Sequence, residues 1–182
     1  MLNRKERESM LKLTRDTIYS KLHSNDLPSY SPISAVLSEP RGVFVTIHKH
    51  CALRGCIGCV EAIKPLYQTL QDMAVAAAFQ DPRFPGLSVN EFNDIDIEIS
   101  VMSPLDKISN VNKIEVGKHG IIIKRGFNSG LLLPQVAAEQ GWDRDTFLEH
   151  TCYKAGLPGD SWKKPDTKIT IFSAEVFSEK EH

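Results

Sequence analysis

DIDIEISVM, residues 94–102, alternates without a break. Ile95, Ile97, Ile99 and Val101 fall on one face and Asp94, Asp96, Glu98 and Ser100 on the other, the period-two pattern of an antiparallel strand with one wet face. Upstream, residues 42–48 (GVFVTIH) place Val43, Val45 and Ile47 against Phe44, Thr46 and His48, a β-branched pattern suited to a well-covered strand. Downstream, the apolar runs 120–124 and 130–133 are joined by RGFNS, a turn composition that predicts a hairpin, and 168–177 supplies a final strand. Helices are interspersed with these strands. Leu11, Ile18 and Leu22 share a face of an amphipathic helix within residues 1–25; Leu66, Leu70, Met73, Ala74 and Ala77 share a face over 66–80, stopped by Asp81-Pro82. Pro134 opens a short helix ending near Gly141, and Asp143 is the N-cap of another running to Ala155. With no regular βαβ repeat, the fold class is α+β, a mixed or mainly antiparallel sheet with flanking helices.

A chain of 182 residues with 41% hydrophobic and 25% charged side chains is long enough and apolar enough for its own core. Its 22 basic and 23 acidic residues leave a net charge of -1, so nothing draws it to nucleic acid or to an anionic membrane. The start, MLNRKERESMLKLTRD, is charged where a secretory segment would be apolar, which predicts a cytoplasmic protein. Its four cysteines are then free thiols, ligands or a nucleophile rather than a disulfide framework.

Three of those cysteines cluster around LRGCIG, residues 53–58, which the sequence places as a loop between a strand and a helix. Gly55 and Gly58 would permit positive φ there, letting backbone N–H groups converge on an anion, while the charge of Arg54 would favour the Cys56 thiolate. A tight turn around a buried cysteine fits the isolated string as well. The spacing of Cys51, Cys56 and Cys59, with Cys152 far along, also matches a two-iron cluster, and His48 and His50 are candidate zinc ligands. Strand alternation separates those histidines from Cys51, however, and Cys152 lies in a helix, so no metal and no cofactor are expected. Among other residues, Arg83 can clamp a carboxylate or phosphate, or pair with Asp81 to hold its turn. Glu98 and Ser100 can line a cleft, and His119, between Gly117 and Gly120, carries an imidazole suited to neutral pH. Lys154, Trp142 and Trp162 read as helix-end and packing residues.

Taken together, GVFVTIHKHCALRGCIG (42–58), DPRFPGLSVNEF (81–92), IEISVMSPL (97–105), GKHGIII (117–123), LLLPQVAAEQGWDRDTFLEHTCYKAGL (131–157) and the closing ITIF resemble, in order, the blocks of the AMMECR domain family, protein A of the AmmeMemoRadiSam systems. The resemblance implies one AMMECR-like domain over 1–182, with a family core at 42–177 and a larger and a smaller lobe. It implies that RGCIG is the active-site candidate and that Memo-like and radical SAM proteins are partners. Only the middle cysteine belongs to that signature, so Cys51 and Cys59 are particular to this chain. The expectation is an enzyme-like protein for a small polar or anionic metabolite, a small-molecule ligand bound at the RGCIG loop. Cys56, Arg54 and His119 are its catalytic candidates; Gly55, Gly58, Arg83, Glu98 and Ser100 are its substrate-binding ones. The alternatives are a non-catalytic partner-binding module and a metal or iron–sulfur carrier.

Overall fold

The computed structural model describes residues 2–61 and 63–180. The span 1–182 read as one domain takes in positions 1, 62, 181 and 182, which lie outside the described residues. The chain divides into two compact units, the larger made of Met1–Met102 and Glu175–His182 and the smaller of Ser103–Ala174. It is α+β, and every strand pairing described is antiparallel. No described helix is long and apolar enough to cross a membrane.

The first unit opens with α1 (Arg4–Leu22), nucleated by a capping box in which Asn3 accepts the Glu6 N–H and Glu6 accepts the Asn3 N–H. Met10, Leu13 and Ile18 form its buried stripe, with Leu11 and Leu22 packed at the margins. β1 (Val43–Lys49) and β2 (Ala52–Cys59) make a hairpin turned by His50 and Cys51, both at positive φ, as a two-residue turn between twisted strands demands. α2 (Leu66–Phe79) covers the hairpin's apolar face, and β3 (Ile95–Met102) pairs with the far side of β1. Val43, Val45, Ile47, Ile95, Ile97, Ile99 and Val101 therefore meet α1 and α2 in one core. Arg15 on α1 holds Glu179 through two hydrogen bonds, at 2.6 and 2.5 Å, and the Glu179 N–H reaches Ile97 O on β3.

Here the expected loop is corrected. Residues 52–59 are a strand at the sheet edge, in register with β1 from Cys59↔Val43 to Ala52↔Lys49. Low strand propensity of glycine concealed it, and the glycines have a different reason for being there. Neither Gly55 nor Gly58 has positive φ. A Cβ on Gly55 would lie 2.2 Å from Ala77 O of α2, and one on Gly58 2.3 Å from the Phe44 ring, so both admit close neighbours rather than an anion.

In the second unit, β4 (Asp106–Ile108), β5 (His119–Arg125), β6 (Asn128–Leu132) and β7 (Lys168–Ser178) associate with β5 between β6 and β7 and β4 on β7's other edge. The last residues of β7 belong to the first unit. α3 (Pro134–Gln140) starts at proline and ends at Gly141, φ 64°, and α4 (Arg144–Lys154) is capped by Asp143 accepting the Thr146 N–H at 2.8 Å. Ile121, Ile123, Phe147, Leu148, Cys152 and Ile171 form its core.

Candidate functional site

The strand pairings assemble a second face on the first unit, opposite its core. Thr46 of β1 is directly across from Cys56 of β2 and from Glu98 of β3, so these three residues form a row. Phe44 and Ser100 lie one step along in one direction, His48 and Asp96 one step in the other. The face expected to be wet is half-buried at Phe44, Thr46, His48, Cys56, Glu98 and Ser100.

Cys56 is held from three sides. Because β2 is an edge strand, the Cys56 N–H and C=O point away from β1; Asp81 Oδ2 accepts the N–H at 2.9 Å and Arg83 Nη2 donates to the C=O at 3.2 Å. Such an outward-facing pair brings the side chains of opposed residues close, and Thr46 Oγ1 donates to Cys56 Sγ at 3.3 Å. Asp81 follows directly on α2, whose contact at Gly55 fixes where the turn meets β2. Its carboxylate also takes Arg83 Nε at 2.9 Å, Arg83 Nη2 at 2.7 Å and the Arg83 N–H at 3.1 Å. The Asp81 side chain is 2% exposed and that of Arg83 53%, so the guanidinium presents its outer edge to solvent beside Cys56. Arg83 thus has the clamp geometry and the turn-holding role together.

Two groups on this face have no partner. Among the described residues, neither the His48 imidazole nor the Glu98 carboxylate makes a hydrogen bond, ion pair or ring contact. His48 lies two residues from Thr46 along β1, on the same face as Cys56, with the register shift falling between Ile47 and His48. Glu98 is two strands from Cys56, about 10 Å at the usual strand spacing. His48 stands among the sequence's metal-ligand candidates and Thr46 among none of its site candidates; the signal for both is their shared parity with Phe44 on β1.

Other expected residues go elsewhere. The pairing shifts register between Ile47 and His48, and the Arg54 side chain does not serve Cys56. Its Nε and Nη2 bond the Glu91 carboxylate, each at 3.1 Å, and Lys49 Nζ joins at 3.0 Å. His119 belongs to the second unit, where its Nδ1 accepts the Glu115 N–H at 3.1 Å. Alternation along β2 sends Cys59 to the face opposite Cys56, Cys51 is exposed at the hairpin turn, and Cys152 is buried in the second unit's core. No three of His, Cys, Asp and Glu among the described residues are grouped to hold a metal ion.

The electrostatics predict an acid limb. Asp81 is held well below the usual carboxylate range, first by Arg83 and then by the Cys56 N–H. Glu91 is lowered likewise, first by Arg54, with Lys49 and Ser88 adding to it. A carboxylate with a depressed folded pKa stabilises fully above its unfolded value, about 3.9 for Asp and 4.3 for Glu, and that contribution is lost as pH falls further. The thermal midpoint is therefore expected to fall below about pH 4.5, and Asp81→Asn to flatten the fall. An unchanged acid slope in Asp81→Asn contradicts this assignment.

Comparison with known proteins follows the same outline. The AMMECR1 family profile matches residues 11–177. A protein of Methanopyrus kandleri is 47% identical over 99% of this chain and 91% of its own length, and one of Methanothermobacter thermautotrophicus is 43% identical over 98% and 96%. The crystal structure of an uncharacterised protein from Pyrococcus horikoshii superposes with a TM-score of 0.83 at 38% identity, covering 98% of this chain and 94% of that one.

Proposed function

The chain belongs to the AMMECR1 family, and from that premise we propose that it is a thiol-dependent enzyme for a small polar or anionic metabolite, with Cys56 as nucleophile. The observation that carries this reading is the row Cys56, Thr46 and Glu98 on a half-buried sheet face, with an unpaired His48 one step away. His48 takes the proton of the Cys56 thiol, and the sulfur adds to an electrophilic carbon of the bound molecule. The protonated imidazole then returns the proton to the leaving group. Thr46 orients the sulfur from 3.3 Å, and Arg83 supplies a fixed positive charge for an anionic substituent. Glu98 accepts a hydroxyl or amino group at the far end. A reducing, cytosolic setting suits the four free cysteines.

The test uses p-nitrophenyl acetate, a small carbonyl electrophile whose nitrophenolate leaves as the thioester forms. Peptide mapping is expected to find the acetyl group on Cys56 ahead of Cys51 and Cys59. Acetylation of Cys51 or Cys59 with Cys56 untouched refutes the nucleophile role. The family resemblance supports a pathway shared with Memo-like and radical SAM proteins. If such a partner co-purifies with the native protein and Cys56→Ala leaves it undiminished while Cys56 also fails to acylate, the protein is a partner-binding module rather than a thiol enzyme.

A further inference from the structure

The row of residues beside Cys56, Thr46 and Glu98 on the same face runs Gly58, Phe44 and Ser100 across β2, β1 and β3. The pairing of β1 with β2 is regular over both rows, since its one shift lies between Ile47 and His48. Gly58 therefore follows Cys56 by two residues on the same side of the sheet, about 7 Å along an extended chain. A Cβ on Gly58 would come within 2.3 Å of Phe44 Cγ and 2.4 Å of Phe44 Cδ1. The phenyl ring thus leans from β1 over β2 and occupies the space that a side chain at 58 would fill. Any other residue at 58 would push the ring off the strand that carries the thiol.

An aromatic ring laid over a strand glycine offsets part of the packing that glycine forgoes. That duty alone would be met by a ring sealed in the interior, and Phe44 is not sealed. It is half-buried, and among the described residues it belongs to neither hydrophobic core and no aromatic or cationic group stacks on it. Its neighbours toward the thiol and across the sheet, Thr46 and Ser100, are polar. An apolar ring kept partly in water gives up the gain of full burial, and a ligand with a flat apolar group recovers it.

We propose that Phe44 is a specificity-determining residue, and that the substrate is an ester or thioester whose acyl part is a flat apolar group seated on the Phe44 ring while its carbonyl carbon meets Cys56. This rests on Cys56 as the nucleophile. In the step, a bond forms between Cys56 Sγ and the carbonyl carbon. The bond from that carbon to the leaving oxygen or sulfur breaks, its electron pair stays with the leaving group, and the thiol proton reaches that group through His48. Phe44 takes no part in these transfers; it selects which acyl group reaches the sulfur.

The test compares p-nitrophenyl benzoate with p-nitrophenyl acetate. Each rate is read as nitrophenolate release, mapped to Cys56, and divided by the rate of the same ester with an unstructured cysteine peptide, which removes the intrinsic difference between the esters. After that division the native protein is expected to favour benzoyl by about tenfold or more, the scale on which an apolar pocket tells substrates apart. Phe44→Ala is expected to bring the ratio near one. Phe44→Leu, which keeps an apolar cover over Gly58 without a flat face, is expected to fall between, and it serves with the native protein if Phe44→Ala does not fold. The ratio is taken within one folded sample, so a loss of stability does not mimic it. A native ratio near one, or a preference that survives in the Phe44 variants, overturns the specificity role and leaves the nucleophile standing. Failure of both esters to acylate Cys56 removes the nucleophile, and this proposal with it.

Discussion

His48→Gln is expected to slow acylation of Cys56 by on the order of 10²-fold near neutral pH, the contribution of a positioned general base. Glutamine keeps a polar side chain of similar reach but cannot take a proton. The substitution is informative because the His48 side chain makes no polar contact that holds the fold: among the described residues it has no hydrogen bond, ion pair or ring contact. Its effect on stability is expected within about 0.5 kcal/mol, as for a substitution away from any stabilising contact. A rate loss with unchanged thermal midpoint therefore reports proton transfer. Restoration of the rate as pH rises, when solvent takes the proton instead, would separate a lost base from a displaced thiol. An acylation rate unchanged in His48→Gln, measured by release of nitrophenolate and mapped to Cys56, excludes His48 from the chemistry.

The second large effect concerns how the site is built. Gly55→Ala is expected to destabilise the protein by about 3 kcal/mol, the upper end for forcing extra carbon into a packed contact. The added Cβ would lie 2.2 Å from Ala77 O, a backbone atom of α2 that no side-chain rotation can move. Either α2 lifts from β2 or β2 distorts. For a chain of this size the thermal midpoint should fall by roughly 6–12 °C. Lifting α2 also draws Asp81 from the Cys56 N–H, so the site should lose reactivity along with stability. Gly86→Ala is the control: its Cβ would meet Phe79 at an ordinary 3.7 Å, and φ is not positive, so the midpoint should barely move. Equal effects at the two positions, in paired thermal melts, would mean that the α2–β2 contact does not position the cysteine.

Much of the architecture was legible in the sequence because hydrophobic period reports it directly. The strict alternation at 94–102, the β-branched 43–47 stretch, the turn composition between 125 and 129 and the caps at Asp143 and Gly141 each carry their own local cause, and the elements formed there. β2 was not legible. Its glycines answer to a helix backbone and a phenylalanine ring that only the tertiary structure brings near, so local propensity pointed to a loop. The candidate site was legible only in part. Cys56 and the same-face pair Glu98 and Ser100 follow from local pattern, whereas the register of Glu98 and Ser100 against Thr46 and Phe44 depends on strand pairing between segments about 50 residues apart. Arg54 illustrates the opposite error, since adjacency in sequence suggested service to Cys56 while the register shift and Glu91 took it elsewhere.

The most direct measurement of the central claim is the rate at which iodoacetamide alkylates Cys56 in the native protein, resolved by peptide mapping and followed from acid to alkaline pH. A sulfur with an imidazole to receive its proton and an open face in front of it should react at pH 7 faster than the thiol of an unstructured peptide, and His48→Gln should reduce it to the peptide rate. Alkylation of native Cys56 no faster than the peptide at every pH, with Cys51 modified first, would contradict the account.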